Sequence, residues 1–405
     1  MRKIVLLSLD AMAEADVSVL QRDSFLAGWM SEAAVCTQVK TVFPALTYPA
    51  HTTLVTGTDP SDHGIGQNQP FQPEKEAAMR AWYWDAAKIR GDNLFSAVKR
   101  QGGRCASILW PVTGKHPDIR WNFPEVLALP GENQVLKMLR YGSTGWILHM
   151  EWKHGRERIS SSEPHLSDYA TVLARDVIRS HQPELTAVHL VDLDDMRHHH
   201  GVNSREARDA MNRNERRVQA VWETMRKTPG MEDALLVLVS DHGQADVSRT
   251  VCITELLKTA GLSRAARVQS NGMSAYLFPG EEGMEGLRRA KDFLNTLGAS
   301  DGVAHVYSRE ELDTLGCVPT VGFAVEAAPE VVFSDGLPQA KREKATHGFG
   351  PSHPAENCLM AVRGRGIRPC RLPAMPMRDV APTLAGLMGV RLKGASGEDH
   401  SDWMK

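Results

Sequence analysis

Apolar and polar positions alternate along the chain in two distinct rhythms. Ile4 to Leu9 is an unbroken apolar run closed by Asp10, the length and texture of a parallel strand buried on both faces. Runs of the same kind recur at Cys105–Leu109, Thr186–Leu193, Ala234–Val239 and Cys358–Val362, and Cys36–Phe43 has β character. Between them lie stripes at helical spacing: Glu14–Ala34, Asp92–Gln101, Asp168–Ser180, the long amphipathic Ser204–Lys227, and a closing Met377–Met388. Strands alternating with helices predict a doubly wound α/β core with a mostly parallel sheet. Asn68–Ala87 and Pro117–Ser162, rich in proline and aromatic residues, follow neither period. Aromatic clusters such as Trp82-Tyr83-Trp84 usually pack; a lid over a substrate is the sharper alternative.

From 247 to 344 the texture changes to short β-like pieces (Met273–Phe278, Ala304–Tyr307, Val331–Phe333) between helices (Ile253–Ala260, Met284–Leu297). This predicts a smaller α+β cap inserted into a core formed by 1–246 and 345–405.

The chain has 405 residues, 42% hydrophobic and 24% charged, with a net charge of −2. No block of one sign advertises a nucleic-acid polymer as partner. Six scattered cysteines without CxxC spacing read as reduced thiols. No stretch approaches the length of a membrane span. The expectation is a soluble cytoplasmic protein without a membrane partner; oligomeric state is not legible.

The chemistry lies at the strand ends. Asp10 follows the first run. Asp194 and His198 are spaced i, i+4, so on a helix both project from one face. Asp195 and His199 have the same spacing. Asp241-His242 precede Gly243, which permits the tight turn both need to reach one ion. His347 precedes the last core strand, with His353 as a weaker competitor. Thr47 sits between Pro44 and Pro49 where the chain enters a helix, a place that welcomes an anion. A lone threonine there would be an N-cap. Four potential ligand sets around it point instead to metal-assisted hydrolysis, with oxygen and imidazole donors suited to zinc, or to manganese or iron.

Leu9-Asp10, the stretch from Pro44 through His63-Gly64-Ile65 to Asn68, Asp194-xxx-His198, Asp241-His242-Gly243 and His347-Gly348-Phe349 together resemble the nucleotide pyrophosphatase/phosphodiesterase family of the alkaline phosphatase superfamily. The resemblance implies an alkaline phosphatase-like core and two divalent ions, one held by Asp10, Thr47, Asp241 and His242, the other by Asp194, His198 and His347. It implies Thr47 as nucleophile, forming a covalent phosphothreonine. Asn68 and the backbone N–H of Tyr48 would face the phosphoryl oxygens, with the Tyr48 ring beside the base or leaving group. Leu193 and Arg197 depart from the family's usual Pro and Gly. The implied activity is hydrolysis of small phosphodiesters or nucleotides. A phosphomonoesterase or phosphonate hydrolase on the same scaffold is the alternative, and a non-catalytic binding protein a more distant one.

Overall fold

The structure is a computed structural model that describes residues 1–336, 343–351 and 353–404. Its centre is a nine-stranded sheet. The order across it is Cys370–Arg371, Ala34–Lys40, Asn357–Arg363, Leu235–Val239, Ile4–Leu9, Leu185–Leu190, Cys105–Ile108 and Ile119–Phe123, with Met375–Pro376 also on Ala34–Lys40. Ile4–Leu9 pairs in parallel with Leu235–Val239 on one side and Leu185–Leu190 on the other. Only Asn357–Arg363 runs antiparallel to its neighbours among the long strands. The carboxyl ends of Ala34–Lys40, Leu235–Val239, Ile4–Leu9 and Leu185–Leu190 therefore open on one edge, where α/β sheets place their sites.

Period-two alternation divides the central strand between two cores. Ile4 and Leu6 pack with Leu54, Phe95, Val380 and Leu384 on one face. Val5, Leu7 and Leu9 pack with Leu173, Val177, Val218 and Val221 on the other. All six residues of the strand are buried, each large side chain contributing about 1.5–3 kcal/mol by leaving water. Helices His165–His181 and Arg205–Lys227 cover the second face and Thr47–Thr56 lies on the first.

Several boundaries differ from the sequence reading. Glu14–Ala34 is not one helix: Glu14–Ser18 and Phe25–Ser31 are separate, because Ser24 caps the second by accepting from Ala27 N–H at 3.1 Å, and Ala34 already belongs to a strand. The strand expected over Thr186–Leu193 stops at Leu190, and Asp192–His200 is a helix. Pro117–Ser162, unreadable by period, holds the edge strand Ile119–Phe123 and helices Gln134–Tyr141 and Thr144–His154.

Within the stretch expected as a cap stands an antiparallel sheet of Val303–Tyr307, Phe323–Ala327, Ser274–Pro279 and Ala266–Ser270. Residues 337–342 of that stretch lie outside the described residues. The sheet and helices Ile253–Thr259 and Gly283–Leu294 enclose their own apolar core, into which Phe349 and Ala45 also pack. Those two residues flank His347 and Thr47, so the smaller core anchors two loops of the larger one. Phe349→Ala is expected to lower stability by about 3–5 kcal/mol, read as a lower urea midpoint, because it removes a buried ring from that core.

Candidate metal and phosphoryl-transfer site

Thr47 is the first residue of the helix Thr47–Thr56; Leu46 holds the cap position and makes no side-chain cap. The Thr47 hydroxyl is thus free of the capping role and lies 3.2 Å from His242 Nε2. Asp194 and His198 do share a face of the helix Asp192–His200, with His198 Nε2 3.4 Å from Asp194 Oδ2. His199 is exposed, its Nδ1 bonded to the Asp195 carbonyl of its own helix at 2.8 Å. His353 stacks on Phe349 and its Nδ1 accepts from Ala355 N–H, away from the cluster. The structure therefore brings Asp10, Thr47, Asp194, His198, Asp241, His242 and His347 together, and leaves His199 and His353 out.

The three imidazoles share one arrangement. His198 Nδ1 faces the Ala345 carbonyl at 2.9 Å, His347 Nδ1 the Ala45 carbonyl at 2.9 Å, and His242 Nδ1 the Gly243 carbonyl at 3.2 Å. A carbonyl only accepts, so each Nδ1 carries a proton and each Nε2 is turned inward. Burial disfavours charge on His198, but Asp194 and Glu343 hold it well above the usual histidine range, so its Nε2 would give up a proton to an ion. The inward partners are carboxylates. His242 Nε2 lies 3.2 Å from Asp241 Oδ2 and 3.6 Å from Asp10 Oδ1, and His347 Nε2 lies 4.0 Å from Asp194 Oδ1. The rings of His242 and His347 stack at 3.8 Å.

The carboxylates show the complementary pattern. One oxygen of Asp10 accepts from His189 and one oxygen of Asp241 accepts from Ala11 N–H. The other oxygen of each, Asp10 Oδ1 and Asp241 Oδ2, is buried without a donor. An orphaned buried carboxylate oxygen is costly, and a cation satisfies it. Among the described residues three donor groups, Asp10–Asp241–His242, Asp194–His242–His347 and His51–His189–Asp241, each converge within the span of one ion. Orphaned oxygens and inward Nε2 atoms without thiolate fit divalent metal ions.

Burial raises the carboxyl of Asp241 to about 6. Burial, with Asp194 and Asp241 adding to it, holds Asp10 well above the carboxylate range. Burial opposes ionisation of Asp194 too, but His198, His347 and His242 hold it well below that range. Burial lowers His242 to about 4 and His347 to about 3, so both are neutral, as ligands must be.

Local backbone explains how these groups meet. Gly243 is fixed by crowding, since a Cβ there would stand 2.7 Å from the Ala355 carbonyl oxygen. Gly348 has φ +89 and its Cβ position falls on the Asn271 carbonyl. Ala11, just after Asp10, holds φ 61, a strained value for a residue with a side chain. Arg197 steadies that turn by donating to the Ala11 carbonyl and forking onto Asp16. The departure from the family's usual Gly thus ties the Asp10 turn to the helix of Asp194 and His198.

Two expectations change. The Tyr48 N–H, expected to face a phosphoryl oxygen, donates instead to Asn68 Oδ1 at 3.0 Å. That bond turns the Asn68 amide NH2 outward as the available donor. The Tyr48 ring, expected beside the substrate, is wholly buried: Trp82 packs against it edge-on at 5.2 Å and its hydroxyl donates to Glu125. His189, His51, Gln244 and Glu125 were not singled out from sequence. His51 bridges the Thr47 carbonyl and Ser8 Oγ, and Gln244 donates to Asp194. The available signal for His189 was one imidazole inside an apolar strand.

The chain matches the profile of the type I phosphodiesterase / nucleotide pyrophosphatase family over residues 4–349. Among curated proteins it is 22% identical over 219 residues to ectonucleotide pyrophosphatase/phosphodiesterase family member 1 of Homo sapiens, 51% of this chain and 19% of that protein. It is 23% identical over 228 residues to a Caenorhabditis elegans ectonucleotide pyrophosphatase/phosphodiesterase, 54% of this chain and 25% of that one. The matched region is thus a quarter or less of these relatives' length. Among solved structures, murine ectonucleotide pyrophosphatase / phosphodiesterase 5 superposes with a TM-score of 0.73 at 18% identity, covering 100% of both chains. Its inactive variant in complex with AMP gives 0.73 at 17%, also over 100% of both chains. The structural likeness shows a shared fold, and the profile match over most of the sequence shows that this chain belongs to the type I phosphodiesterase / nucleotide pyrophosphatase family.

Proposed function

We propose that this protein is a metal-dependent phosphodiesterase acting on small nucleotide diesters or anhydrides, with Thr47 as the nucleophile. The observation that carries the reading is the convergence of three inward-facing Nε2 atoms and two orphaned carboxylate oxygens beside the Thr47 hydroxyl. Family membership and the AMP complex of a structural neighbour support a nucleotide substrate.

Asp10, Thr47, Asp241 and His242 would hold one ion, and Asp194, His198 and His347 the other; zinc fits this donor set best. Such a pair of ions supplies an acidified hydroxyl and neutralises charge on the attacking and leaving oxygens. The protein does the rest. The buried helix Thr47–Thr56 places Thr47 at its positive end, where a phosphoryl group would be drawn toward Oγ1. Attack by the deprotonated Thr47 Oγ1 would form the oxygen–phosphorus bond as the bond to the leaving oxygen breaks, that oxygen taking up a proton from solvent. Water would then cleave the phosphothreonine, giving one proton back to Oγ1. Asn68, oriented by Tyr48 N–H, donates to a non-bridging oxygen as charge develops there. The side-chain and backbone partners of Thr47, Tyr48 and Asn68 include no Lys or Arg among the described residues. A monoester brings a dianionic phosphoryl group that needs such charge; a diester does not. We also propose a cytoplasmic location, which the six free cysteines support and cell fractionation tests.

Wild-type protein loaded with zinc is expected to cleave bis-p-nitrophenyl phosphate with a higher kcat/KM than p-nitrophenyl phosphate, and Thr47→Ala to abolish that turnover. The opposite preference moves the protein to the monoesterases. Asn68→Ala is expected to lower kcat by about 10²–10³ with KM little changed.

Metal affinity is expected to fall with pH. Asp241 ionises near 6, and its protonated form cannot serve as ligand. A chelator-competition titration should therefore find about tenfold weaker zinc binding at pH 5 than at pH 7 from this carboxyl alone. His242 at about 4 and His347 at about 3 remain neutral across that range and add nothing to the loss.

A further inference from the structure

The parallel register sets Ser8 beside His189 and Leu9 beside Leu190, which brings the His189 ring under Asp10. The ring is fully buried. Its Nε2 lies 2.8 Å from Asp10 Oδ2, and its Nδ1 lies 3.0 Å from Glu125 Oε2. The other oxygen of Glu125 accepts from the Tyr48 hydroxyl at 3.2 Å. Where Asp10 is ionised to hold an ion it only accepts, so Nε2 is the donor in that bond, and Nδ1 also lies 3.3 Å from the Leu109 carbonyl, which can only accept. One continuous chain of contacts thus runs from Asp10 through His189 and Glu125 to Tyr48, the residue after the nucleophile.

This chain decides which oxygen of Asp10 is left over. Oδ2 is held by His189; Oδ1 has no donor and faces His242. Without His189 the carboxylate would be free to rotate, and Oδ1 would lose its fixed direction. A histidine that merely filled a hole in the core would leave the choice of oxygen open.

We propose that His189 and Glu125 are positioning residues of the centre: His189 presents a single oxygen of Asp10 to the ion shared with Asp241 and His242, and Glu125 fixes His189 while tying it to Tyr48 beside Thr47. The inference rests on the two-ion reading of the site. Residues that orient a ligand through a hydrogen bond govern affinity at that ligand's own ion, and here Asp10 belongs to one ion only.

The test measures zinc binding rather than turnover, by competition with a chromophoric chelator on wild type, His189→Leu, His189→Gln and Glu125→Ala, with thermal unfolding of the metal-free proteins alongside. His189→Leu is expected to weaken one of two zinc ions by about 10–100-fold and leave the other unchanged. His189→Gln, whose amide NH2 reaches the position of Nε2, is expected to restore most of that loss, and Glu125→Ala to weaken the same ion to a smaller extent. Equal weakening of both ions, no weakening in a folded His189→Leu protein, or Gln performing no better than Leu would overturn the proposal. Should His189→Leu not fold, Glu125→Ala decides, because that side chain is partly exposed: unchanged affinity for both ions overturns the proposal. Fewer than two zinc ions on wild type overturns the two-ion reading itself, an outcome separate from any effect of the variants.

Discussion

Three aspartates, Asp10, Asp194 and Asp241, are buried within a few residues' width at one edge of a parallel sheet. Two like charges about 4 Å apart repel by about 4 kcal/mol even at an effective dielectric of 20. His189 faces Asp10 and His198 faces Asp194, and their carboxylate partners hold both imidazoles well above the usual histidine range against the effect of burial, but Asp241 faces the neutral imidazoles of His51 and His242. Arg197 is turned away to Asp16 and the Ala11 carbonyl, and burial keeps His242 and His347 neutral. Rotation of the carboxylates away from one another is blocked, since Asp10 is held by His189 and Asp241 by Ala11 N–H. A buried cluster of carboxyl groups with orphan oxygens is a structure completed by cations, and the remaining features follow from holding it open.

The cluster is held from both parts of the chain. Strand ends supply Asp10 and Asp241, and the helix after a third strand supplies Asp194 and His198. His347 comes from a loop bonded to Ala45 twice, through its own Nδ1 and through Gly348 N–H, so the loops of His347 and Thr47 are tied together. Phe349 and Ala45 lie in the apolar core of the smaller sheet, and Glu326 of that sheet accepts from Gly350 N–H. The smaller sheet is therefore a support for the site as well as a neighbour of it.

The main sheet was legible because its strands are buried on both faces and read as continuous apolar runs. The site was legible because ligand types recur where such runs stop, and because Asp194 and His198 keep helical spacing. The first helices were misread because the serine cap at Ser24 interrupts a stripe whose period continues across it. The fates of Tyr48 N–H and of the Tyr48 ring depend on Asn68, Glu125 and Trp82, each at least 20 residues away, and no local pattern reports such pairings. His189 escaped notice for a related reason: a polar residue within a buried strand has meaning only once the neighbouring strand's register is known.

The central claim is that these residues form a centre for two divalent ions. Anomalous diffraction at the zinc absorption edge, from crystals grown with zinc, tests it without recourse to catalysis. Two peaks are predicted, one within reach of Asp10, Thr47, Asp241 and His242 and the other within reach of Asp194, His198 and His347. Zinc bound elsewhere on the molecule, with no anomalous density among these residues, would contradict the account.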